Sequence, residues 1–305
     1  MQTRYCAAAT ALLLTAAVGM AASGGAAEAA GTHHAGAKAA KSLTITIKSK
    51  AGGVALSDTK FRPGNTVFKV KNAAGKPGRG LIQVLRLKSG YTLVDANTDF
   101  GLAFPEDEST PPDVDAINRI DDNVVFYGGM EAPHKKGGHA TKWAVKIDRP
   151  GTYYAINFDA GTPPTSFQAK GDKQKRALPS QSGRVDAASG PGGSNVWKVG
   201  KHNAAHGWMS TTNNAKEPHF VVLDHVKKSA TMKQVTACFS GPPDQCHAFA
   251  KDGATTDTGV ISPGKHFLWA YDLPKGKYLA SCFWPSKVDG MPHAFMGMLK
   301  FTNLG

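Results

Sequence analysis

Cysteine is the scarcest reactive residue in this sequence, and its four positions imply three different fates. Cys6 falls in a leading segment expected to be cut off on export. Cys238 and Cys246 bracket a Pro-rich loop, Phe239 to Gln245, and are expected to pair in an oxidising compartment, where closing so short a loop contributes roughly 2–3 kcal/mol. Cys282 is then left alone. An odd cysteine in an exported chain has three uses: an intermolecular bridge, a buried inert thiol or a metal thiolate. The imidazoles are more plentiful. His33 and His34 are adjacent and build no cage, while His202, His206, His225, His247 and His266 read as surface or packing residues, with His202 and His206 a secondary metal candidate. No Ser-His-Asp or Glu-rich hydrolase pattern is present.

Composition bounds where such chemistry could sit. A length of 305 residues at 41% hydrophobic content suits two ordinary soluble domains. Arg4, the apolar run Ala7 to Ala22 and the small-residue pattern Ala27-Glu28-Ala29 read as a secretory signal over residues 1–29. No later stretch approaches the roughly 20 apolar residues of a membrane helix, so the mature chain is expected to be exported without a span. Its formal net charge of +13 implies either a solvated Lys-rich surface or attraction to an acidic redox partner or an anionic cell surface. Nucleic acid is not expected, since no basic helix or nucleic-acid motif occurs.

The elements that would carry these residues are strands. After a leader over residues 30–42, short β-rich runs recur with turn residues between them: Leu43–Lys48, Thr66–Lys71, Leu81–Leu87, Val124–Tyr127, Trp143–Ile147 and Tyr153–Phe158. Residues 171–195, rich in Ser, Gly and Pro, read as a linker. A second set follows, with Phe220–Val226, Lys233–Phe239, His266–Tyr271, Tyr278–Phe283 and Met298–Thr302. Helix-length periodicity is scarce, so the expected fold is all-β: two tandem Greek-key β-sandwich domains over residues 43–170 and 196–305. Alternation places Tyr278, Ala280 and Cys282 on one inward face.

The halves also resemble each other. Gly151-Thr152-Tyr153-Tyr154-Ala155-Ile156-Asn157-Phe158 runs parallel to Gly276-Lys277-Tyr278-Leu279-Ala280-Ser281-Cys282-Phe283. Arg79-Gly80-Leu81-Ile82-Gln83-Val84-Leu85 runs parallel to Pro218-His219-Phe220-Val221-Val222-Leu223-Asp224. A duplicated domain is implied, with Gly80 standing for His219 and Asn157 for Cys282 in the first copy.

In the second copy, an Asn-rich turn leads into Pro218-His219. Gly276-x-Tyr278-x-x-x-Cys282-x-x-Pro285 comes later, followed by Pro292-His293-x-x-x-Gly297-Met298 and a closing strand with Phe301. This order resembles the blue copper proteins of the plastocyanin and amicyanin type, the cupredoxins. The resemblance covers residues 196–305 and, more faintly, 43–170. It implies one mononuclear copper held by Cys282 thiolate, His219 and His293 imidazoles and an axial Met298 thioether, with Met296 as the other axial candidate. Such a donor set suits both Cu(I) and Cu(II) with little rearrangement, the requirement for electron transfer. Phe220, Phe283, Trp284, Met291 and Phe295 would form an apolar surround. One feature departs from the family: ten residues, Phe283 to Pro292, separate Cys282 from His293, a longer loop than usual that could close on the metal or leave the site open.

Three functions follow. The first is a secreted copper-binding electron carrier. The second is an oxidase or nitrite reductase, which the absence of any His-x-His pair and the flanking of Cys282 by Ser281 and Phe283 argue against; the expectation is a chain that is not an enzyme. The third is a metal-free or copper-storing extracellular interaction module on the same scaffold.

Overall fold

A computed structural model describes residues 39–48, 53–74, 80–107, 109–133, 138–160, 162–240 and 249–305. The signal segment, residues 30–38 of the leader, His33, His34, Cys246 and His247 lie outside the described residues, so the Cys238–Cys246 bridge stays an expectation; the leader's last two residues, Lys41 and Ser42, instead begin a strand. Among the described residues Cys282 is a free, buried thiol, and no helix is long and apolar enough to cross a membrane.

Inward apolar residues alternate along most strands of the first half: β1 (Lys41–Ile47), β2 (Val54–Leu56), β3 (Lys60–Phe61), β4 (Gly64–Asn72), β5 (Leu81–Leu87), β6 (Val124–Glu131), β7 (Thr141–Ile147), β8 (Gly151–Asn157) and β9 (Thr165–Ala169). The second half contributes β10 (Gly183–Ser189), β11 (Asn195–Val199), β12 (His206–Asn214), β13 (Val222–Val226), β14 (Ala250–Asp257), β15 (His266–Asp272), β16 (Gly276–Ser281) and β17 (Leu299–Leu304). The fold is mostly β and built as β-sandwiches, as expected.

One eight-stranded sheet, in the order β11-β10-β12-β15-β7-β4-β1-β2, runs through both halves, and each half closes on its own smaller sheet, β3-β9-β8-β5-β6 and β14-β13-β16-β17. From either end the large sheet has the same pairing sense: antiparallel, parallel, antiparallel. At its centre β7 meets β15 antiparallel, with Trp143 opposite Trp269, both fully buried. The duplication legible in the sequence thus sets a pseudo-two-fold, and the two sandwiches share one core.

The joint is also polar. Gln83, buried on β5, donates from Nε2 to the carbonyls of Gly128 (3.0 Å) and Val260 (3.1 Å), while its Oε1 accepts from the Val260 N–H at 2.7 Å. The Gly259 N–H donates to Gly129 at 2.9 Å. A Cβ on Gly259 would lie 2.6 Å from the Gly129 backbone, so glycine is required for this approach.

Three expectations are corrected. Residues 183–194 are not linker: β10 and β11 form a hairpin turned at Gly192 and Gly193, whose φ values of 65° and 82° explain the glycines. Val185 and Ala187 of β10 enter the core; small residues there had disguised a strand. Lys233–Phe239 is not a strand but lies within helix α3 (Met232–Ser240), because Thr231 and Gln234 cap each other reciprocally and the buried Val235 and Cys238 are three residues apart. Helices α1 (Leu93–Ala103) and α2 (Val114–Asn123) lie between β5 and β6, where no helix was expected. Thr92 and Asp95 form a capping box on α1, and Asp113 caps α2.

Candidate metal centre

The expected ligands come from the ends of strands and from the loop that follows β16. Asn213, fully buried at the end of β12, donates to the carbonyls of Glu217 (2.8 Å) and Ile261 (2.9 Å). Its Oδ1 accepts from the Ala215 N–H at 3.0 Å. This folds residues 214–218 into a turn that delivers His219, whose backbone exchanges hydrogen bonds with Ile261. Tyr278, Ala280 and Cys282 are all fully buried in the shared core, so alternation along β16 carries the thiol inward as expected.

The long loop does not open the site. The His293 N–H donates to Trp284 at 3.0 Å and the Ala294 N–H to Cys282 at 2.6 Å. Pro285 bridges Pro292, and the Ser286 N–H donates to Met291 at 2.9 Å. The extra residues therefore form a hairpin finger closed at its base, which brings His293 back beside Cys282. Gly297, at φ 95°, turns the chain so that the Met298 N–H donates to the His293 carbonyl at 2.9 Å.

Three donor atoms converge as a result. Cys282 Sγ lies 3.5 Å from His219 Nδ1 and 3.8 Å from His293 Nδ1, and the two Nδ1 atoms are 3.1 Å apart. Among the described residues these three are the group able to hold a metal ion. His219 and Cys282 are fully buried, and His293 and Met298 are each 1% exposed. Met296 is 49% exposed, pointing away from the core that holds Cys282 and Met298.

The outer contacts were not foreseen. His293 Nε2 lies 3.0 Å from Glu217 Oε2 and 3.2 Å from Asn195 Nδ2; a carboxylate on the far nitrogen fixes the ring so that Nδ1 faces the thiol. Burial disfavours charge on Glu217, but the His293 contact outweighs it and pulls the carboxyl down to about 2. Burial likewise disfavours charge on His293, but the Cys282 and Glu217 contacts raise it to about 9. His219 is driven well below the ordinary imidazole value by burial and then by His293. One imidazole thus holds the proton in the metal-free site while the other stays neutral. A cation would take that proton's place among the three donors. The only sequence signal for Glu217 was its place in Glu217-Pro218-His219.

The first domain covers the finger. Trp284 Nε1 donates to Asp121 Oδ1 of α2 at 3.2 Å, and its ring packs on Phe104 and Phe126 at centroid distances of 5.5 and 5.3 Å. Asn118 Nδ2 donates to the Lys287 carbonyl at 3.1 Å, and Gly290 comes up to Pro112. Burial raises the Asp121 carboxyl to about 7. Of the expected apolar surround, Trp284 is buried, while Phe283 and Phe295 cluster with Phe239 of α3. Among the described residues, His266 contacts Ser210, His225 stacks on Tyr278, and His202 and His206 are exposed, so none of these four joins the site.

No family model and no curated protein matches the chain. Solved structures that align with it include a reduced auracyanin from Roseiflexus castenholzii, 18% identical, covering 41% of this chain and 99% of that one at a TM-score of 0.25. A copper-containing nitrite reductase from Thermus scotoductus is 9% identical, covering 88% of this chain and 62% of that one at 0.22. The multicopper oxidase McoA from Aquifex aeolicus is 11% identical, covering 87% and 65% at 0.23. The expectation of a non-enzyme is corrected: the structures that align with the chain include a copper nitrite reductase and a multicopper oxidase as well as a small copper protein.

Proposed function

We propose that the second domain holds one mononuclear, type 1-like copper and uses it for electron transfer. In this reading Cys282, His219, His293 and Met298 would hold the copper. The observation that carries it is the convergence of Sγ and two Nδ1 atoms within 3.8 Å of one another in a fully buried pocket. Copper when bound there supplies a one-electron couple whose two oxidation states both suit a thiolate and two imidazoles. The chain does the rest. Glu217 and Asn195 hold the His293 ring, Asn213 sets the His219 turn, and the closed base of the finger keeps water from the donors. Burial and the preceding Gly297 turn favour Met298 over the exposed Met296 as the thioether that would complete the donor set.

The same reading makes the chain an exported protein, with a signal over residues 1–29, a Cys238–Cys246 disulfide, and an acidic redox partner or anionic cell surface attracted by its charge of +13. Copper loading of the full mature chain tests the site. The expected result is an intense thiolate-to-copper band that Cys282→Ser abolishes. A band that persists in Cys282→Ser refutes the ligand assignment.

A further inference from the structure

Two sides of the buried donor cluster lead outward, and they differ. On one side His293 Nε2 is capped by Glu217 and Asn195, and the ring is 1% exposed. On the other, the chain runs two residues from Cys282 to Trp284, itself buried, whose indole packs at 5.5 Å on Phe104. Phe104, just past the end of α1 in the first domain, is 43% exposed. Phe126 also packs on Trp284, but it is fully buried and leads into the core.

We propose that Trp284 and Phe104 form the electron port of the site, so that the domain lacking ligands supplies the surface through which the other exchanges electrons. This rests on the copper reading above. From Cys282 to Trp284 the path is covalent, and a single ring-to-ring contact completes it. Tunnelling favours bonded and packed atoms over gaps. One electron leaves the reduced site, the copper passing from Cu(I) to Cu(II), and an outer-sphere one-electron acceptor at Phe104 is reduced by that electron. No bond forms or breaks, no proton moves, and neither ring is itself oxidised.

The probe is ferricyanide, each ion taking one electron to become ferrocyanide, used at high salt so that the basic surface does not select its approach. Stopped-flow oxidation of the reduced, copper-loaded full chain is compared for the unaltered protein, Phe104→Ala and Phe104→Tyr. The expected result is a several-fold slower oxidation in Phe104→Ala and recovery in Phe104→Tyr. The visible band, the midpoint potential and the melting temperature of the metal-free chain should be unchanged in both. Oxidation of Phe104→Ala at the unaltered rate overturns the port. So does a shift in its band or potential, which would make Phe104 a shaping residue. An unaltered chain without a thiolate band instead fails the copper reading, before any variant is compared.

Discussion

In the second domain Val222 pairs with Ser281 and Leu223 with Ala280; in the first, the residues that match them, Gln83 with Ile156 and Val84 with Ala155, pair in the same register. The strands are thus held alike, and only what stands at their ends differs. Where His219 and Cys282 meet in the second domain, Gly80 lies against Asn157 in the first: a Cβ on Gly80 would be 3.1 Å from the Asn157 amide and 3.0 Å from Ile47. Where the second domain sends out the finger and returns with His293 and Met298, the first crosses directly from β8 to β9 through residues 158–164, which contain no His, Cys or Met. Among the described residues, the first sandwich is thus built without a metal-ligand group. Lacking ligands, the first domain instead builds α1 and α2 into its β5–β6 connection and lays them over its partner's finger.

The largest effect is expected from breaking that cover. Trp284→Ala removes the ring between Phe104 and Phe126 and leaves Asp121 without its donor, and a buried Trp-to-Ala change costs about 3–5 kcal/mol. Urea unfolding measures it. A loss under about 1 kcal/mol, the range of an unburied surface change, would mean that the finger is not held by the first domain. A middle effect is expected from rewriting the first domain as the second. Gly80→His with Asn157→Cys should lower stability by about 1–3 kcal/mol through overpacking against Ile47, and metal content should stay unchanged, because no residue replaces His293. A second copper per chain in that variant would show that the finger is dispensable for binding.

The smallest effect concerns pH. In the metal-free chain His293 is raised from 6.5 to about 9, so its contribution to stability is complete below pH 6.5 and is lost as pH rises through about 9. Glu217→Gln removes part of that rise and should flatten the decline, as read from denaturant midpoints across this window. An identical decline in the variant contradicts the Glu217–His293 coupling. Among its described residues the first domain has no matching pair.

The periodic parts of this arrangement were readable from the residues. Alternation placed Cys282 inward, and aligning Gly276–Phe283 with Gly151–Phe158 anticipated the shared register. Lys233 to Phe239 failed because its β-forming side chains were overridden by a local cap at Thr231 and Gln234. β10 failed because Ala and Ser signal flexibility in sequence and close packing in a sheet. Glu217, Asn195, Gln83 and Asp121 could not be read at all. Each acts on a partner brought to it only by tertiary structure, as with Asp121 and Trp284, 163 residues apart. The finger's length was compatible with a closed or an open site, and only the pairing of Trp284 with His293 shows that its base is closed.

Copper held through Cys282 in one of two like domains is tested by metal content and thiol titration of the full chain after copper loading. One copper per chain is expected, with the Cys282 thiol reactive in the unfolded metal-free chain and consumed when copper is bound. A thiol that remains titratable in the copper-loaded native chain, or copper retained in equal amount by Cys282→Ser, would contradict it.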